Sequence, residues 1–467
     1  MHLPGKFIKQ IQSIVGDNNV LTDSADSWPY GGDNSRKHMP PDLVAFATSS
    51  EQIKQIVSLC LQYKVPIIAR GRGTGTTGAT VPLSGGLVLS LERMQRIIKV
   101  DAKNRLLIAQ PGVTNMDIQR AAAEHGFFWP PDPTSAEFCT LGGNLAYNSA
   151  GPRAVKYGTP RDNTLGLKAI IGNGEEIQTG VCTTKGVVGY DLTRLLIGSE
   201  GTLGIITQAT LKLTPLPQVT HTLQALYKDI QSAADAVASI MAQPVTPSAL
   251  EFIDQAAINM IRDYADFELA DVGAMLMIEV DGSKGAIEES VQQVSDAAQN
   301  PGLISITAAR TKQEKQSLWR IRKALSPALR NIAPKKINED VVVPVSRIPA
   351  LLEGLEQLSQ QHNIPIVNFG HAGNGNIHVN LLIDPGDTEQ MQRADLCLGQ
   401  VFDLVLSLDG TLSGEHGVGI EKKNYISREI DPVTLELMRN IKKQFDPANI
   451  LNPGKMLPDQ DSASTLS

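Results

Sequence analysis

A glycine-rich stretch that follows an early strand-like segment limits what the surrounding domain can be. VPIIAR is typical of a strand, and RGRGTGTTG follows it at once, so that Gly73, Gly75 and Gly78 satisfy the spacing GxGxxG. A Rossmann site needs a helix that begins at this loop and directs its N-terminus at a pyrophosphate. Pro82 and a Gly-Gly pair stand where that helix should run, and they exclude it. The loop therefore predicts a phosphate site formed by backbone N–H groups and hydroxyls, with tight turns between two strands as the alternative.

The length and charge of the chain exclude several classes of protein. With 467 residues, 42% of them apolar and 19% charged, we expect two or three globular domains and no extended disorder. The 42 basic and 49 acidic residues give a net charge of −7, without a basic block that could follow a nucleic-acid backbone. No stretch is typical of a signal peptide or of a transmembrane segment. We therefore expect a soluble cytoplasmic protein without a nucleic-acid partner, and docking at the inner face of a membrane stays open.

The cysteines also limit the chemistry of the chain. Cys60, Cys139, Cys182 and Cys397 are widely separated, and no two of them form a CxxC pair. This spacing argues against a disulfide framework, a cysteine-based zinc site and an iron–sulfur cluster.

The order of predicted elements indicates an α+β protein with three regions. Strands and helices alternate through residues 1–217, where Pro215 and Pro217 end a strand. Residues 218–385 read as strands and helices in an order that resembles a ferredoxin-like antiparallel sheet covered by helices. Residues 386–467 contain two further predicted helices and the segment ILNPGK.

Histidines cluster late in the chain. GHAGNGNIHVN has His371 and His378 on either side of a Gly/Asn turn that could direct both imidazoles at one point, and SGEHGVG adds Glu415 and His416. Two imidazoles and one carboxylate suit a divalent metal that keeps open positions for a substrate. Ordinary loop or surface histidines are the alternative.

A predicted helix carries a candidate site for a carboxylate. In LWRIRKALSPAL, Arg322 and Ser326 are four residues apart and share a face, and Lys336 follows before the next strand. A guanidinium can bind a carboxylate through two hydrogen bonds. The alternative for Arg322 is a surface charge beside a leucine stripe, and the sequence does not distinguish Lys335 from Lys336.

Four motifs in fixed order, RGRGTGTTG, PPDP…TLGGN…KYG, GYDLTRLLIGSEGTLGIIT and ILNPGK, resemble the FAD-linked oxidases of the vanillyl-alcohol-oxidase (PCMH) type. The resemblance implies a two-subdomain FAD-binding domain, an antiparallel cap domain and a C-terminal helical segment that returns to the flavin. The loop contains no histidine, so we expect non-covalent FAD. The implied FAD-binding residues are Arg70, Gly71, Arg72, Gly73, Thr74, Gly75, Thr76, Thr77, Gly78, Pro131, Leu141, Gly142, Gly143, Asn144, Asn148, Gly151, Glu200, Gly201, Ile206 and Asn452.

The late motifs are similar to the branch of this family that includes D-lactate dehydrogenase, the flavin subunit of glycolate oxidase and D-2-hydroxyglutarate dehydrogenase. This resemblance implies His371, His378 and Glu415 as ligands of a divalent metal, with zinc first and manganese or iron as alternatives. It also implies His416 as the base, and Arg322, Ser326 and Lys336 as contacts of the substrate carboxylate. Relatives usually carry Asp where this chain has Asn374, so the identity of the metal is less determined than its ligands.

The expected activity is the oxidation of a D-2-hydroxy acid, first D-lactate to pyruvate, with reduction of FAD. Glycolate oxidation by a flavin subunit and D-2-hydroxyglutarate oxidation are close alternatives. A metal-dependent hydrolase and a non-catalytic flavin-binding subunit belong to other classes. Because the chain has no cluster of its own, we expect an external acceptor, which is a cytochrome, a quinone, an electron-transfer flavoprotein or a partner subunit. A homodimer stays open.

Overall fold

The computed structural model describes residues 3–264 and 271–459, and it divides the chain into two compact units. Unit 1 consists of Met1–Ala150, Gly158–Leu216 and Glu415–Ser467, and unit 2 consists of Gly151–Tyr157 and Pro217–Gly414. Residues 460–467 of the predicted C-terminal segment lie outside the described residues. Among the described residues, no helix combines the length and the apolar character needed to cross a membrane.

The first sheet of unit 1 contains the strand that leads into the glycine-rich loop. Its strands are β1 (Val20–Leu21), β2 (Leu43–Phe46), β3 (Ile67–Arg70) and β4 (Leu87–Ser90), and the nearby helices are α1 (Gly5–Val15), α2 (Ser24–Ser27) and α3 (Ser50–Tyr63). The strand order is β1-β2-β4-β3, with β2 and β3 parallel to β4 and β1 antiparallel to β2. All residues of β2 and β4 are buried, as parallel strands covered on both faces require.

The remaining part of unit 1 is built on an antiparallel sheet. Its strands are β5 (Ile97–Asp101), β6 (Leu106–Ala109), β7 (Phe127–Phe128), β8 (Thr164–Ile170), β9 (Glu176–Gly180), β10 (Ile205–Lys212) and β11 (Thr214–Pro215). Its helices are α4 (Asn115–Ala123), α5 (Leu141–Tyr147), α7 (Leu192–Leu196), α14 (Ile426–Glu429) and α15 (Pro432–Phe445), whereas α6 (Ala154–Tyr157) belongs to unit 2. The sheet order is β5-β6-β10-β8-β9, and β7 pairs with β11. In AIIGNGEEIQT, Asn173-Gly174 stands between two strand-like runs, a pattern typical of a hairpin, and this hairpin is present as β8 and β9.

Unit 2 is an antiparallel sheet with helices, which confirms the predicted fold class. Its strands are β12 (Val219–Tyr227), β13 (Ala249–Asp254), β14 (Ala274–Gly282), β15 (Leu303–Ala308), β16 (Lys335–Val342), β17 (Ile366–Gly370) and β18 (Asn376–Ile383). Its longer helices are α8 (Ile230–Ala242), α9 (Gln255–Tyr264), α10 (Ile287–Ala297), α11 (Lys312–Ile332), α12 (Ile348–His362) and α13 (Thr388–Ser407). The sheet order is β15-β12-β14-β13-β17-β18-β16, so β13 and β17, far apart in sequence, are neighbours.

The longest segment of unit 2 runs from Pro217 to Gly414 and includes α13. The division into regions 1–217, 218–385 and 386–467 stays a prediction. Helix α13 contacts α12 and buries Ala394, Cys397 and Val401 on one face. The chain returns to unit 1 only at Glu415.

Candidate active site

The glycine-rich loop follows β3 without forming a helix. Two of its carbonyl groups accept hydrogen bonds from other parts of unit 1. The carbonyl of Gly75 accepts a hydrogen bond from the N–H of Asn34 (2.8 Å), and that of Thr77 accepts one from the N–H of Ile420 (2.8 Å). The Thr77 hydroxyl donates to the carbonyl of His416 (3.2 Å). These contacts connect the loop to the segment that carries the predicted base.

Arg70, at the start of the loop, holds the N-terminal part of unit 1. Its buried guanidinium donates to the carbonyls of Gly32 (2.6 Å) and Pro29 (3.1 Å). Burial lowers the pKa of this guanidinium, and nearby acidic groups such as Asp33 oppose that effect. The same guanidinium also donates to the Thr80 hydroxyl (3.3 Å), so its observed hydrogen bonds are with groups of the protein.

The predicted LGGN segment begins α5 and packs against the loop. A side chain at Gly71 would place its first carbon 2.3 Å from the Thr140 hydroxyl oxygen, so this close approach requires glycine. The N–H groups at the start of α5 are satisfied within the protein, since that of Leu141 donates to Val113 (2.8 Å) and that of Gly142 donates to Pro111 (2.8 Å). This helix start supports the loop through packing.

Buried amides fix the residues around α5. The Asn115 side chain donates to the carbonyl of Pro131 (2.9 Å) and to the side-chain oxygen of Asn144 (3.2 Å). After α5, the side-chain oxygen of Asn148 accepts a hydrogen bond from the N–H of Arg161 (3.1 Å). Gly151, also expected near the flavin, is the first residue of the short segment assigned to unit 2.

Glu200 connects the SEGTLG turn to the segment that follows His416. Its buried carboxylate accepts hydrogen bonds from the N–H groups of Val418 (2.6 Å) and Gly419 (2.8 Å). Burial raises the pKa of this carboxyl to about 6, although both backbone hydrogen bonds oppose the shift. Glu200 therefore fixes the backbone at Val418 and Gly419, just after the predicted base His416 in the chain. The next predicted FAD contacts are Gly201, in the same turn, and Ile206, on β10.

The C-terminal NPGK segment completes this part of unit 1. The Asn452 amide donates to the carbonyls of Ala79 (2.9 Å) and Glu200 (2.7 Å), so one side chain joins the glycine-rich loop to the SEGTLG turn. Lys455 donates to the carbonyl of Val81 (2.5 Å), and burial lowers its pKa to about 8. The loop, the turn and the C-terminal segment thus meet within unit 1.

The three predicted metal ligands come together around a tight turn. His371 directly follows β17, and His378 lies on β18 with its ring centroid 5.3 Å from that of His371. Gly375 makes the turn possible, because its φ is +74° and a side chain there would lie 1.8 Å from the carbonyl oxygen of Val343. Glu415 is the residue at which the chain leaves unit 2. One ligand atom from each of His371, His378 and Glu415 lies within 4.8 Å of the other two.

Asp340 holds the segment that leads to Glu415. Its buried carboxylate, on β16, accepts hydrogen bonds from the Ser413 hydroxyl (3.1 Å) and the Gly414 N–H (2.9 Å). These contacts fix the two residues that precede Glu415 in the chain. Asn374 is exposed at the tip of the turn.

A buried carboxylate that the sequence did not indicate lies beside His371. Glu251, on β13, accepts a hydrogen bond from Nδ1 of His371 (2.6 Å) through Oε1 and contacts Nε of Arg322 through Oε2. Burial alone would raise the pKa of Glu251, but the charges of His371 and Arg322 hold it below its usual value. A glutamate in the buried strand ALEFID was the available signal, since a buried charge requires a partner.

The candidate carboxylate site lies in unit 2. The Arg322 guanidinium is buried, with its central carbon 5.1 Å from the centre of the Phe369 ring. On the same helix, the Ser326 hydroxyl accepts a hydrogen bond from Nζ of Lys336 (3.1 Å). Lys335 is the neighbouring strand residue and points to the opposite face of the sheet. This geometry favours Lys336 over Lys335.

Comparison with known proteins identifies the family of this chain. The family described as FAD linked oxidases, C-terminal domain, matches residues 216–456, and the FAD binding domain matches residues 41–180. The chain belongs to the FAD-linked oxidase family.

The relatives of this FAD-linked oxidase cover nearly the whole chain. Glycolate oxidase subunit GlcD of Bacillus subtilis (strain 168) is 38% identical over 450 residues, which are 96% of this chain and 96% of that protein. Probable D-lactate dehydrogenase, mitochondrial, of Danio rerio is 33% identical over 459 residues, which are 97% of this chain and 92% of that protein. The protein is thus an FAD-dependent oxidoreductase of the D-lactate dehydrogenase and GlcD type.

A solved structure confirms the PCMH-type fold of this FAD-linked oxidase. P-cresol methylhydroxylase with substrate bound has a TM-score of 0.79 and 19% identity, and the match covers 98% of this chain and 97% of that one. This likeness concerns the fold. The family membership favours an oxidoreductase over the hydrolase considered from the sequence.

Proposed function

We propose that this FAD-linked oxidase oxidises a D-2-hydroxy acid, with D-lactate as the first candidate and pyruvate as its product. One observation carries the proposal, namely the donor set of His371, His378 and Glu415 beside the Glu251–Arg322 pair. Two imidazoles and a carboxylate suit a divalent metal, and a neighbouring guanidinium suits the carboxylate of the same substrate. A 2-hydroxy acid presents a hydroxyl and a carboxylate on adjacent carbons, which matches this combination.

The proposed roles of the side chains follow from their chemistry. Arg322 binds the substrate carboxylate, and Ser326 and Lys336, which are hydrogen-bonded to each other (3.1 Å), provide further donors. His416 takes the hydroxyl proton, because a neutral imidazole has a ring nitrogen that can accept a proton. His371, His378 and Glu415 would hold zinc in this proposal, with manganese or iron as alternatives. A bound metal would supply a positive charge that favours the ionised hydroxyl, and bound FAD would supply the acceptor for the hydride of the α-carbon.

The proposed FAD site is non-covalent and lies in the glycine-rich loop, the SEGTLG turn and the segment around Asn452. Two features support it: the loop has no histidine, and these three segments meet within unit 1. The four cysteines are free, and three are buried, so electrons leave the flavin for an external acceptor or a partner subunit. We propose a cytochrome, a quinone or an electron-transfer flavoprotein as that acceptor.

A second candidate is the flavin subunit of a glycolate oxidase. It is favoured by the relative from Bacillus subtilis, which is named glycolate oxidase subunit GlcD and is 38% identical to this chain, whereas the D-lactate dehydrogenase of Danio rerio is 33% identical. Glycolate and D-lactate differ by one methyl group. Both therefore suit the same donor set, and only the pocket around the α-carbon distinguishes them.

Anaerobic bleaching of the bound flavin tests the proposal. The holoenzyme is mixed with D-lactate, L-lactate, glycolate or D-2-hydroxyglutarate, and the visible flavin absorbance is followed. We expect D-lactate or glycolate to bleach it, and His416→Ala to slow this bleaching by about 100-fold or more, as the loss of a general base does. His221→Ala, on β12, is the matched control and should bleach like the unmodified enzyme.

Two results would contradict the proposal. The first is a flavin that none of the four acids reduces. The second is reduction that neither a chelator nor His416→Ala slows, because the metal site and the base would then have no part in the reaction.

A further inference from the structure

We propose that Glu251 is a positioning residue that couples the metal-binding histidine to the arginine that binds the substrate. This inference rests on the proposed function and adds to it a residue outside the predicted donor set. Its two carboxylate oxygens serve different partners, since Oε1 meets Nδ1 of His371 (2.6 Å) and Oε2 meets Nε of Arg322. The side chains of all three are nearly fully buried, with exposures of 1% for Glu251, 7% for His371 and 9% for Arg322.

The sheet register explains why Glu251 reaches His371. Strand β13 pairs antiparallel with β17, with Phe252 opposite Gly370 and Ile253 opposite Phe369. One step further along the same register brings Glu251 opposite His371. Strand β13 thus presents a carboxylate to the first residue after β17.

The contact with Glu251 selects one tautomer of His371. An ionised carboxylate only accepts hydrogen bonds, so Nδ1 of His371 must carry the hydrogen. The other ring nitrogen, Nε2, then carries no hydrogen, which is the form in which an imidazole nitrogen binds a metal. A carboxylate behind a metal-binding imidazole also fixes the ring and makes it a stronger ligand.

The same carboxylate orients Arg322. A guanidinium has five N–H donors in a rigid plane, and Glu251 takes the one on Nε. Arginine can bind a second carboxylate through the N–H groups of its two terminal nitrogens. The Phe369 ring, 5.1 Å from the centre of the guanidinium, limits its rotation. Displacement of Glu251 would therefore disturb the metal ligand and the substrate contact together.

Glu251→Gln tests this coupling, because glutamine keeps the size but offers only one acceptor oxygen. Its amide NH2 must face either His371 or Arg322, both of which are donors. With the purified holoenzyme, zinc affinity is measured by competition with a chromophoric chelator, and the KM for the reactive hydroxy acid is measured by flavin reduction. We expect zinc affinity to fall by about 10- to 100-fold, with a rise in KM of similar size.

Glu279→Gln is the matched control. Glu279 lies on the adjacent strand β14 and is also buried. Its carboxylate accepts a hydrogen bond from the indole N–H of Trp319 (3.3 Å) and forms an ion pair with Lys315 (3.4 Å), both on α11, the helix that carries Arg322. Glu279→Gln weakens a contact between the sheet and α11, as Glu251→Gln does, but it removes no contact of His371. We expect its zinc affinity and KM to equal those of the unmodified enzyme.

Four results separate the possible explanations. Equal losses in both variants would overturn the inference in favour of general loosening of α11, and an unchanged zinc affinity in Glu251→Gln would also overturn it. If Glu251→Gln does not retain FAD, Glu251→Asp decides by the same measurements, because it keeps the charge but withdraws it by one methylene. If the unmodified enzyme itself binds no zinc, manganese or iron, the proposed function fails first, and the inference falls with it.

Discussion

At the scale of single residues, Asp254 makes the stability of unit 2 depend on pH. It ends β13 and is fully enclosed, and its carboxylate accepts hydrogen bonds from the N–H groups of Ala257 (2.7 Å) and Asn368 (2.6 Å). Burial raises its pKa from 3.8 to about 7 despite those two bonds. Between these two pH values the folded protein therefore holds a proton here that the unfolded chain releases. The contribution of Asp254 to the free energy of unfolding is complete below pH 4 and is lost as the pH rises through 7.

Asp254→Asn removes the carboxyl group, and with it the proton that the folded and unfolded states bind with different affinity. Between pH 5 and 8, the free energy of unfolding of the unmodified protein should fall relative to the variant by on the order of 3 kcal/mol. The measurement is the unfolding of both proteins at several pH values in that window. Parallel curves for the two proteins would show that the carboxyl stays ionised in the fold.

Individual site residues differ in how well the sequence reveals them. His371 and His378 stand on either side of a short turn, whose spacing indicated that they could meet, and the family resemblance implied Glu415 as the third ligand. Glu251 lies 120 positions before His371, in an otherwise apolar strand. Its role follows from the register between β13 and β17, which no local pattern specifies.

At the scale of elements, the turn between β17 and β18 determines where both histidines lie. Gly375→Ala would place a methyl carbon 1.8 Å from the carbonyl oxygen of Val343, at a φ of +74° that alanine rarely adopts. We expect a destabilisation of about 2 kcal/mol or more, since strain and overpacking both contribute. Zinc affinity should fall as well, measured by chelator competition.

Gly285→Ala provides the control for this turn. Nothing lies within 4 Å of the added carbon, and the backbone there does not have positive φ. Its stability and zinc affinity should stay within about 0.5 kcal/mol of the unmodified protein. Similar behaviour of the two variants would mean that the turn can rearrange without moving the histidines.

Local patterns predicted elements better than their arrangement. The hairpin of β8 and β9 and the start of α4 at Thr114 agree with the sequence, because turn and capping residues act over a few positions. The short helix α5 was not predicted, since two of its residues are glycines. Its stability depends on the Thr140 cap and on contacts with residues 111–113, which are distant in sequence.

At the scale of the whole molecule, the C-terminal segment is a structural part of unit 1. Leu451 is fully buried in the core that includes α3 and β3, and the carbonyl of Ile450 accepts a hydrogen bond from the N–H of Ile67 (2.7 Å). Unit 1 thus closes only after the chain has passed through unit 2. The sequence indicated this return through ILNPGK, but the position of α13 depended on its packing with α12.

Leu451→Ala therefore tests whether flavin retention depends on the C-terminal segment. The substitution leaves a cavity that should cost about 2–5 kcal/mol, and it acts on the unit that contains the glycine-rich loop and Asn452. We expect FAD release, followed by flavin fluorescence on heating, to occur at a lower temperature. Leu437→Ala, an exposed position on α15 in the same unit, should release FAD at the same temperature as the unmodified protein. Equal release temperatures for Leu451→Ala and the unmodified protein would show instead that flavin retention does not depend on this core.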